Sequence, residues 1–202
     1  MSSVKIIATA PMRGNSFSCY TTSMKKTKKA IEILRSGGVI AFPTETVFGI
    51  GALLSQKKAI RKIYKLKNRP LNKPLQVLVA DIEQAKRLGK FSKKELELAK
   101  SSWPGPLTLV VYKKRIIPKI VTGGGKTVGL RIPDHKIILE LLKKCGPIAA
   151  TSANRSDKKP ALNAKAVKKA LPEIDYILPG KVKTGKASQV IDATRNYITL
   201  RS

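Results

Sequence analysis

The sequence predicts a mixed α/β fold, a single domain of alternating helices and strands. Three observations lead there. Apolar stripes at helical spacing alternate along the chain with short apolar runs rich in β-branched residues. The 202 residues are 42% hydrophobic, enough for one substantial core. No internal repeat and no linker interrupts the pattern.

The elements follow in order from Lys25. Ala30, Ile31 and Leu34 share a helix face, and Gly37-Gly38 ends that helix. Val39–Phe42 reads as a buried strand running straight into Pro43-Thr44. Ile60, Ile63 and Tyr64 mark a second helix, stopped at Arg69-Pro70. Leu75–Ala80 is a strand. Ser92 and Glu95 make a capping box for a helix that reaches Trp103-Pro104. Leu107–Tyr112 is strand-like, and after the Thr122-Gly123-Gly124-Gly125 loop so is Val128–Ile132. Asp134 is the expected N-cap of a helix carrying Ile137, Ile138, Leu141, Leu142 and Cys145, closed by Gly146-Pro147. Ile148–Thr151 is a strand ending at Ser152. Asn163 caps a helix with Ala166, Val167 and Ala170, and Tyr176–Leu178, Gln189–Asp192 and Tyr197–Leu200 are short late strands.

Residues 1–23 differ from the rest. They are rich in Ser and Thr, and no acidic residue precedes Glu32. The expectation is a dispensable N-terminal extension, 1–23, ahead of a domain over 24–202, with Val4–Ala8 as an added edge strand. A transit-like segment and a true start at Met24 are the other readings.

Lys+Arg 41 against Asp+Glu 12 gives a formal charge of +29, which favours polyanions: nucleic acid first, anionic substrates second. The plainer reading is a set of solvated lysine-rich helix faces. Aromatic residues are 5%, which does not support a base-stacking platform. No apolar run approaches the roughly 20 residues of a membrane span. Two cysteines, Cys19 and Cys145, make no disulfide framework, so a reducing cytoplasm is the expected setting. With His135 the sole histidine, no closed zinc site is expected.

Some patterns mislead. Gly180–Ala187 nearly spells a phosphate-binding loop, but Ala187 replaces the magnesium-binding hydroxyl. Gly125-Lys126-Thr127 has the right ending, yet Ile120 stands where the first glycine belongs. A lone histidine leaves no room for a Ser–His–Asp device, and His135 reads as structural. Trp103-Pro104-Gly105-Pro106 is a rigid turn with a packed indole, or else a wall of the site.

Three separated stretches read as one nucleotide site, each placed after an apolar run. Lys67 and Arg69 sit at a helix end. Two cations so spaced can hold phosphates, Arg as a fork and Lys as a point charge, or simply favour the helix dipole. Ser152 and Asn154 follow a buried strand; they suit phosphate oxygens or a magnesium shell, or form an ordinary turn. Thr44 and Glu45 follow the Val39–Phe42 strand, with Gly49 and Gly51 allowing close backbone approach, which suits a small zwitterion or a tight β–β turn.

Together these stretches resemble the YrdC-like family, and within it the short TsaC-type threonylcarbamoyl-AMP synthases. The resemblance runs from about Lys25 to Arg201. It rests on Pro43–Gly51, Lys67-Asn68-Arg69-Pro70 with Pro74-Leu75, Trp103–Pro106, Val128–His135, Thr151–Asn154, Ala187–Asp192 and Leu200-Arg201, in the family order. It implies a single YrdC-like domain, a twisted, mostly parallel mixed sheet flanked by helices around a basic concave cavity. It also implies a reaction: L-threonine, bicarbonate and ATP, with magnesium and no prosthetic group, give threonylcarbamoyl-AMP and pyrophosphate. A downstream threonylcarbamoyl-transferase complex then modifies tRNA beside the anticodon. By resemblance Lys67, Arg69, Ser152 and Asn154 are the catalytic, phosphate-binding set. Thr127, Pro160 and Arg201 fall near positions lining ATP. Thr44, Arg131, Ala150 and Ser188 match threonine positions, with Arg131 for the carboxylate. No metal ligand is assigned. Departures are Asn68 for a frequent glycine, Phe48 for a common tyrosine, Gln189 for a common threonine and Asp157 for a usual glycine. The alternative from another class is a non-catalytic factor that binds tRNA or double-stranded RNA or serves ribosome maturation, and a third reading is a paralogue that carbamoylates another acceptor.

Overall fold

The computed structural model describes residues 16–156 and 158–202, and of residues 16–24 the backbone alone. Val4–Ala8 and Asp157 lie outside the described residues. Helix α1 spans Ser16–Arg35, so the expected boundary before Met24 falls within it. Strands β1 (Ile40–Pro43) and β2 (Phe48–Leu53) follow, then α2 (Lys57–Lys67), β3 (Gln76–Leu78), α3 (Ile82–Leu88) and α4 (Lys93–Ser102). Next come β4 (Leu107–Tyr112), a 3-10 turn over Lys119–Thr122, β5 (Thr127–Arg131), α5 (Lys136–Cys145) and β6 (Ile148–Ser152). The chain ends with α6 (Ala164–Ala170), β7 (Tyr176–Ile177), β8 (Gln189–Asp192) and β9 (Ile198–Arg201).

The strands form a single sheet in the order β7-β1-β2-β6-β3-β5-β4-β8-β9. It is mixed, but not mostly parallel. Only β1–β7, β3–β5 and β4–β8 pair in parallel; the other five pairings are antiparallel. Short connections are the reason. The four residues between β1 and β2, and the five between β8 and β9, can only turn the chain back on itself.

Strand β2 and helix α3 are absent from the sequence reading. The Phe-Gly-Ile-Gly-Ala-Leu run of β2 has two glycines, which weaken any strand pattern. Gly51 is required there, because a Cβ would stand 2.5 Å from Ile148 Cγ2 and 3.2 Å from the Phe42 ring. The close approach is thus core packing, not access for a ligand. Asp81 starts α3 by accepting from the Gln84 amide at 2.7 Å. The capping box of Ser92 and Glu95 and the Asn163 cap are present. Asp134 is not a cap. His135 holds the N-cap position of α5 without a side-chain bond, and the Asp134 carboxylate instead pairs with Lys183 at 2.9 Å.

Two apolar clusters lie on opposite faces of the sheet. One joins α2, α3, α4 and α6 through Ile60, Ile63, Ala85, Ala99 and Val167 to Leu107, Leu109, Val111, Val128 and Leu130. The other joins α1 and α5 through Ala30, Leu34, Ile138, Leu141 and Leu142 to Ile40, Phe42, Leu78 and Ile148. This second cluster takes no residue from β4, β5, β8 or β9. On that face, half the sheet is left without a helical cover, and the alternation of each strand decides what it shows there. In β4, Leu107, Leu109 and Val111 are core, which turns Thr108 and Val110 to the bare half.

Candidate active site

The bare half of the sheet is the floor of an open cavity of about 280 Å³, near the low end of the usual roughly 300–1,000 Å³ for small-molecule sites. The pairing register lays one row of residues across it. Ala150 pairs with Gln76, Gln76 with Gly129, Gly129 with Val110, and Val110 with Asp192. All five line the cavity. Gly129 keeps the middle of the floor open: a Cβ there would meet Thr108 Cγ2 at 3.0 Å.

Of the sequence-predicted residues, Arg69, Thr127, Arg131, Ala150, Ser152, Ser188 and Arg201 line this cavity. Thr44 lines a small adjoining recess together with Arg131, Ala150 and Ser152. Lys67, Asn154 and Pro160 line neither.

The two cations after α2 therefore differ. Asn68 adopts the left-handed conformation, φ 50° and ψ 49°, and caps α2 through its N–H to Lys65 O and Tyr64 O. Asn is among the few side chains that enter this region readily, so it can stand where the resemblance expects a glycine. The reversal separates its neighbours. Lys67 turns inward, 1% exposed, and its ammonium donates to Ser152 O at 2.6 Å, to Asn154 O and to Asn154 Oδ1 at 3.2 Å. Those are all three of its donors. Burial, and then the charge of Arg69, push Lys67 down to about 7. Lys67 O also accepts from the Ser156 amide at 2.9 Å. Lys67 is thus the anchor of the Ser152–Asn154 turn. Arg69 turns to the cavity, braced by donation to Lys73 O at 3.3 Å and Pro74 O at 2.8 Å.

At the other side Arg131 meets Glu45, which the sequence placed in a loop suited to a small zwitterion or a tight turn. Arg131 is 2% exposed and Glu45 4% exposed. Arg131 Nη2 donates to Glu45 Oε1 at 2.5 Å and to Thr46 Oγ1 at 3.1 Å, while Nε donates to Gly105 O at 3.0 Å. Burial lowers the Arg131 pKa from its ordinary value, and Glu45 opposes that by charge and hydrogen bond. Nη1 makes no hydrogen bond among the described residues, and buried Glu45 Oε2 has none either. Trp103 itself is core, its Nε1 donating to Leu107 O at 2.7 Å; the turn after it serves the site through the Gly105 carbonyl.

Thr44 shapes the loop around Glu45. Its Oγ1 donates to Val47 O at 2.7 Å and stands 2.8 Å from Thr46 Oγ1. The segment after β7 straps this loop down: the amides of Lys183 and Thr184 both donate to Glu45 O, at 3.0 and 2.9 Å. His135 Nε2 meets Lys181 O at 3.2 Å in the same strap. Burial lowers the His135 pKa, against the opposing effect of that contact. At the β8 edge Ser188 Oγ accepts from Arg201 Nη2 at 3.0 Å and lies 3.2 Å from Thr108 Oγ1, which donates to Gln76 Oε1 at 2.8 Å. Arg201 Nε donates to Ser188 O at 2.8 Å, which fixes the last residues of β9.

Among the described residues no three His, Cys, Asp or Glu side chains gather to hold a metal ion. None of the described helices is long and apolar enough to cross a membrane. The site is therefore a basic, sheet-floored cleft with hydrogen-bond donors at both ends and, among the described residues, no side-chain nucleophile beside a base.

A family model for Sua5, YciO and YrdC, described as telomere recombination, matches residues 32–202. The chain is 42% identical over 173 residues to a threonylcarbamoyl-AMP synthase of Pyrococcus abyssi, covering 84% of this chain and 51% of that protein. It is 34% identical over 175 residues to the threonylcarbamoyl-AMP synthase of Hahella chejuensis, covering 85% of this chain and 95% of that one. The crystal structure of P. abyssi Sua5 complexed with L-threonine superposes with a TM-score of 0.80 at 41% identity, over 86% of this chain and 52% of that one. The chain thus spans about half the length of the Pyrococcus relative and nearly all of the Hahella one.

Proposed function

The chain belongs to the Sua5/YciO/YrdC family, and from that premise we propose that it is an L-threonylcarbamoyladenylate synthase. In this reading it joins L-threonine, bicarbonate and ATP to give threonylcarbamoyl-AMP and pyrophosphate, and so acts as a nucleotidyltransferase. The observation that carries it is the pairing of two differently built ends in one cavity. Arg69 and Ser152 supply donors at one side, and Arg131, held from behind by Glu45, lines the other.

The second end suits an amino acid. Arg131 is already oriented by three hydrogen bonds, and its Nη1 keeps two donors for a carboxylate. Glu45 neutralises the guanidinium, so the site can stand before threonine binds. Glu45 Oε2 is the acceptor left beside it, and a buried acceptor without a partner suits an amine.

The chemistry follows from placing the reactants. The amine of threonine, once neutral, attacks the carbon of carbon dioxide with loss of a proton, or of bicarbonate with loss of water, and becomes a carbamate. A carbamate oxygen then attacks the α-phosphorus of ATP, and pyrophosphate leaves. No protein nucleophile takes part. Arg69 offsets charge on the phosphates, and Ser152 lies within the turn that Lys67 fixes. The catalytic contribution is alignment and preorganised positive charge. Magnesium enters as the counter-ion of the triphosphate, which needs few protein ligands. Asp192 is the sole carboxylate among the cavity-lining residues, in keeping with that.

The product would serve a transferase complex that modifies tRNA in the cytoplasm. The +29 charge supports attraction to RNA as a substrate-delivery or product-transfer feature. A purely RNA-binding role leaves the Arg131–Glu45 pair and the open sheet floor without use. The direct test is mass spectrometry of the product formed from ATP, threonine and 13C-bicarbonate. A labelled threonylcarbamoyl-AMP supports the proposal. AMP or ADP without a labelled adduct, at saturating substrates, sinks it.

A further inference from the structure

One carboxylate lines the cavity, and the proposed chemistry gives it no part. Asp192 ends β8, is 6% exposed, and closes the floor row that starts at Ala150 beside Ser152. From β6 to β8 that row crosses four strand spacings, about 19 Å at about 4.8 Å each. That is the reach of an extended nucleoside triphosphate, with Arg69 and Ser152 at the phosphate side and Asp192 at the far end.

The surroundings of Asp192 suit a purine. Val110 pairs with it across β4, Val190 precedes it on the same face of β8, and Leu200 comes from β9; all three line the cavity. Its two oxygens are used differently. Oδ1 accepts from the Thr194 amide at 3.0 Å and from Thr194 Oγ1 at 2.7 Å, which closes the turn after β8. Oδ2 makes a loose ion pair with the largely exposed Arg195, 3.7 Å from its Nε and so beyond a hydrogen bond, and accepts no hydrogen bond among the described residues. An apolar slot ending in a carboxylate oxygen of this kind accepts from an amino group and repels a carbonyl.

We propose that Asp192 reads the exocyclic 6-amino group of adenine and sets a preference for ATP over nucleotides with a 6-oxo group. This rests on the synthase reading of the cavity. Adenine offers N–H donors at that edge; hypoxanthine and guanine offer a carbonyl oxygen that would face the carboxylate. A hydrogen bond to a charged group accounts for roughly a 10- to 100-fold preference.

The test is calorimetric binding of ATP and ITP to the wild type, Asp192→Asn and Thr194→Val, with pyrophosphate release followed in parallel. The side-chain amide introduced by Asp192→Asn would keep an oxygen for Thr194, so the turn survives, and its NH2 would then face the base, a donor that suits a 6-oxo group and opposes a 6-amino group. The wild type should bind ATP at least about 10-fold more tightly than ITP. Asp192→Asn should bring the two within about 3-fold, through weaker ATP and stronger ITP binding. Thr194→Val, which disturbs the turn but not Oδ2, should keep the wild-type ratio. Equal binding of ATP and ITP by the wild type, or an unchanged ratio in a folded Asp192→Asn, overturns the proposal. ATP binding with the expected preference but no pyrophosphate release would contradict the synthase reading alone. Binding of neither nucleotide would contradict both.

Discussion

Arg131, which lines the cavity, and Glu45 form a buried ion pair, Nη2 to Oε1 at 2.5 Å, with both side chains at most 5% exposed. The pair holds a guanidinium ready where water could not, and each partner depends on the other. Removing one partner of such a pair typically costs about 3–5 kcal/mol, because the survivor is left charged and dry. Glu45→Gln should therefore lose about 3 kcal/mol or more of unfolding free energy in urea titration. The double change Glu45→Met with Arg131→Met should be less destabilised than the two single changes summed. Additive losses would show that the two side chains do not act as a pair.

Arg131→Ala should chiefly raise the threonine requirement. Turnover at saturating threonine should fall less than turnover over KM, since the contact is to the carboxylate and not to the reacting phosphorus. The readout is initial rate against threonine concentration; an unchanged KM for threonine speaks against the assignment.

Arg69→Ala and Lys67→Ala should fail in different ways. Arg69 faces the cavity, so its loss should cut turnover about 100-fold with the melting temperature nearly kept. Lys67 anchors Ser152 and Asn154, so its loss should lower both turnover and thermal stability. Equal stability for the two variants would mean that Lys67 is no anchor.

Lys67 also sets a pH dependence. The unfolded chain keeps this proton up to the ordinary lysine value of 10.5, whereas the folded chain releases it near 7. Unfolding therefore takes up a proton between those values, and this group makes stability rise with pH across that window. Below about pH 7 both states hold the proton and the dependence vanishes. The difference in unfolding free energy between wild type and Lys67→Met, followed from about pH 6 to about pH 10, should change in the wild type's favour as pH rises. A flat difference contradicts the shift.

Gly129→Val should close the floor. A Cβ at that position already stands 3.0 Å from Thr108 Cγ2, and the added methyls would point into the cavity between Gln76 and Val110. ATP binding should weaken by at least about 10-fold in calorimetry, more than the loss of any single hydrogen bond among neutral groups. Tight ATP binding by this variant would place the nucleotide elsewhere.

Local rules made much of this architecture legible in the sequence. The Ser92–Glu95 capping box, the Asn163 cap and strands β4 and β8 depend on short-range chemistry, and each lies where the pattern places it. Strand β2 was hidden by its glycines, whose need is visible only once Phe42 and Ile148 pack on them. The mostly parallel sheet was an expectation of the resemblance alone, and the short β1–β2 and β8–β9 connections make those pairs antiparallel. Seven of the expected site residues line one cavity, while Lys67, Asn154 and Pro160 do not, and side-chain direction is the part that spacing leaves out. That Lys67 faces inward and Arg69 outward follows from the left-handed Asn68 between them, a conformation that spacing does not reveal. Glu45 became important only when long-range register set it against Arg131, 86 residues away.

The measurement closest to the central claim is pyrophosphate release from ATP by the purified chain, with threonine and bicarbonate supplied together, singly and not at all. The account predicts release that requires both, and that Arg69→Ala cuts to about 1% of the wild-type rate. Release that ignores threonine, or none in the presence of all three substrates, would contradict it.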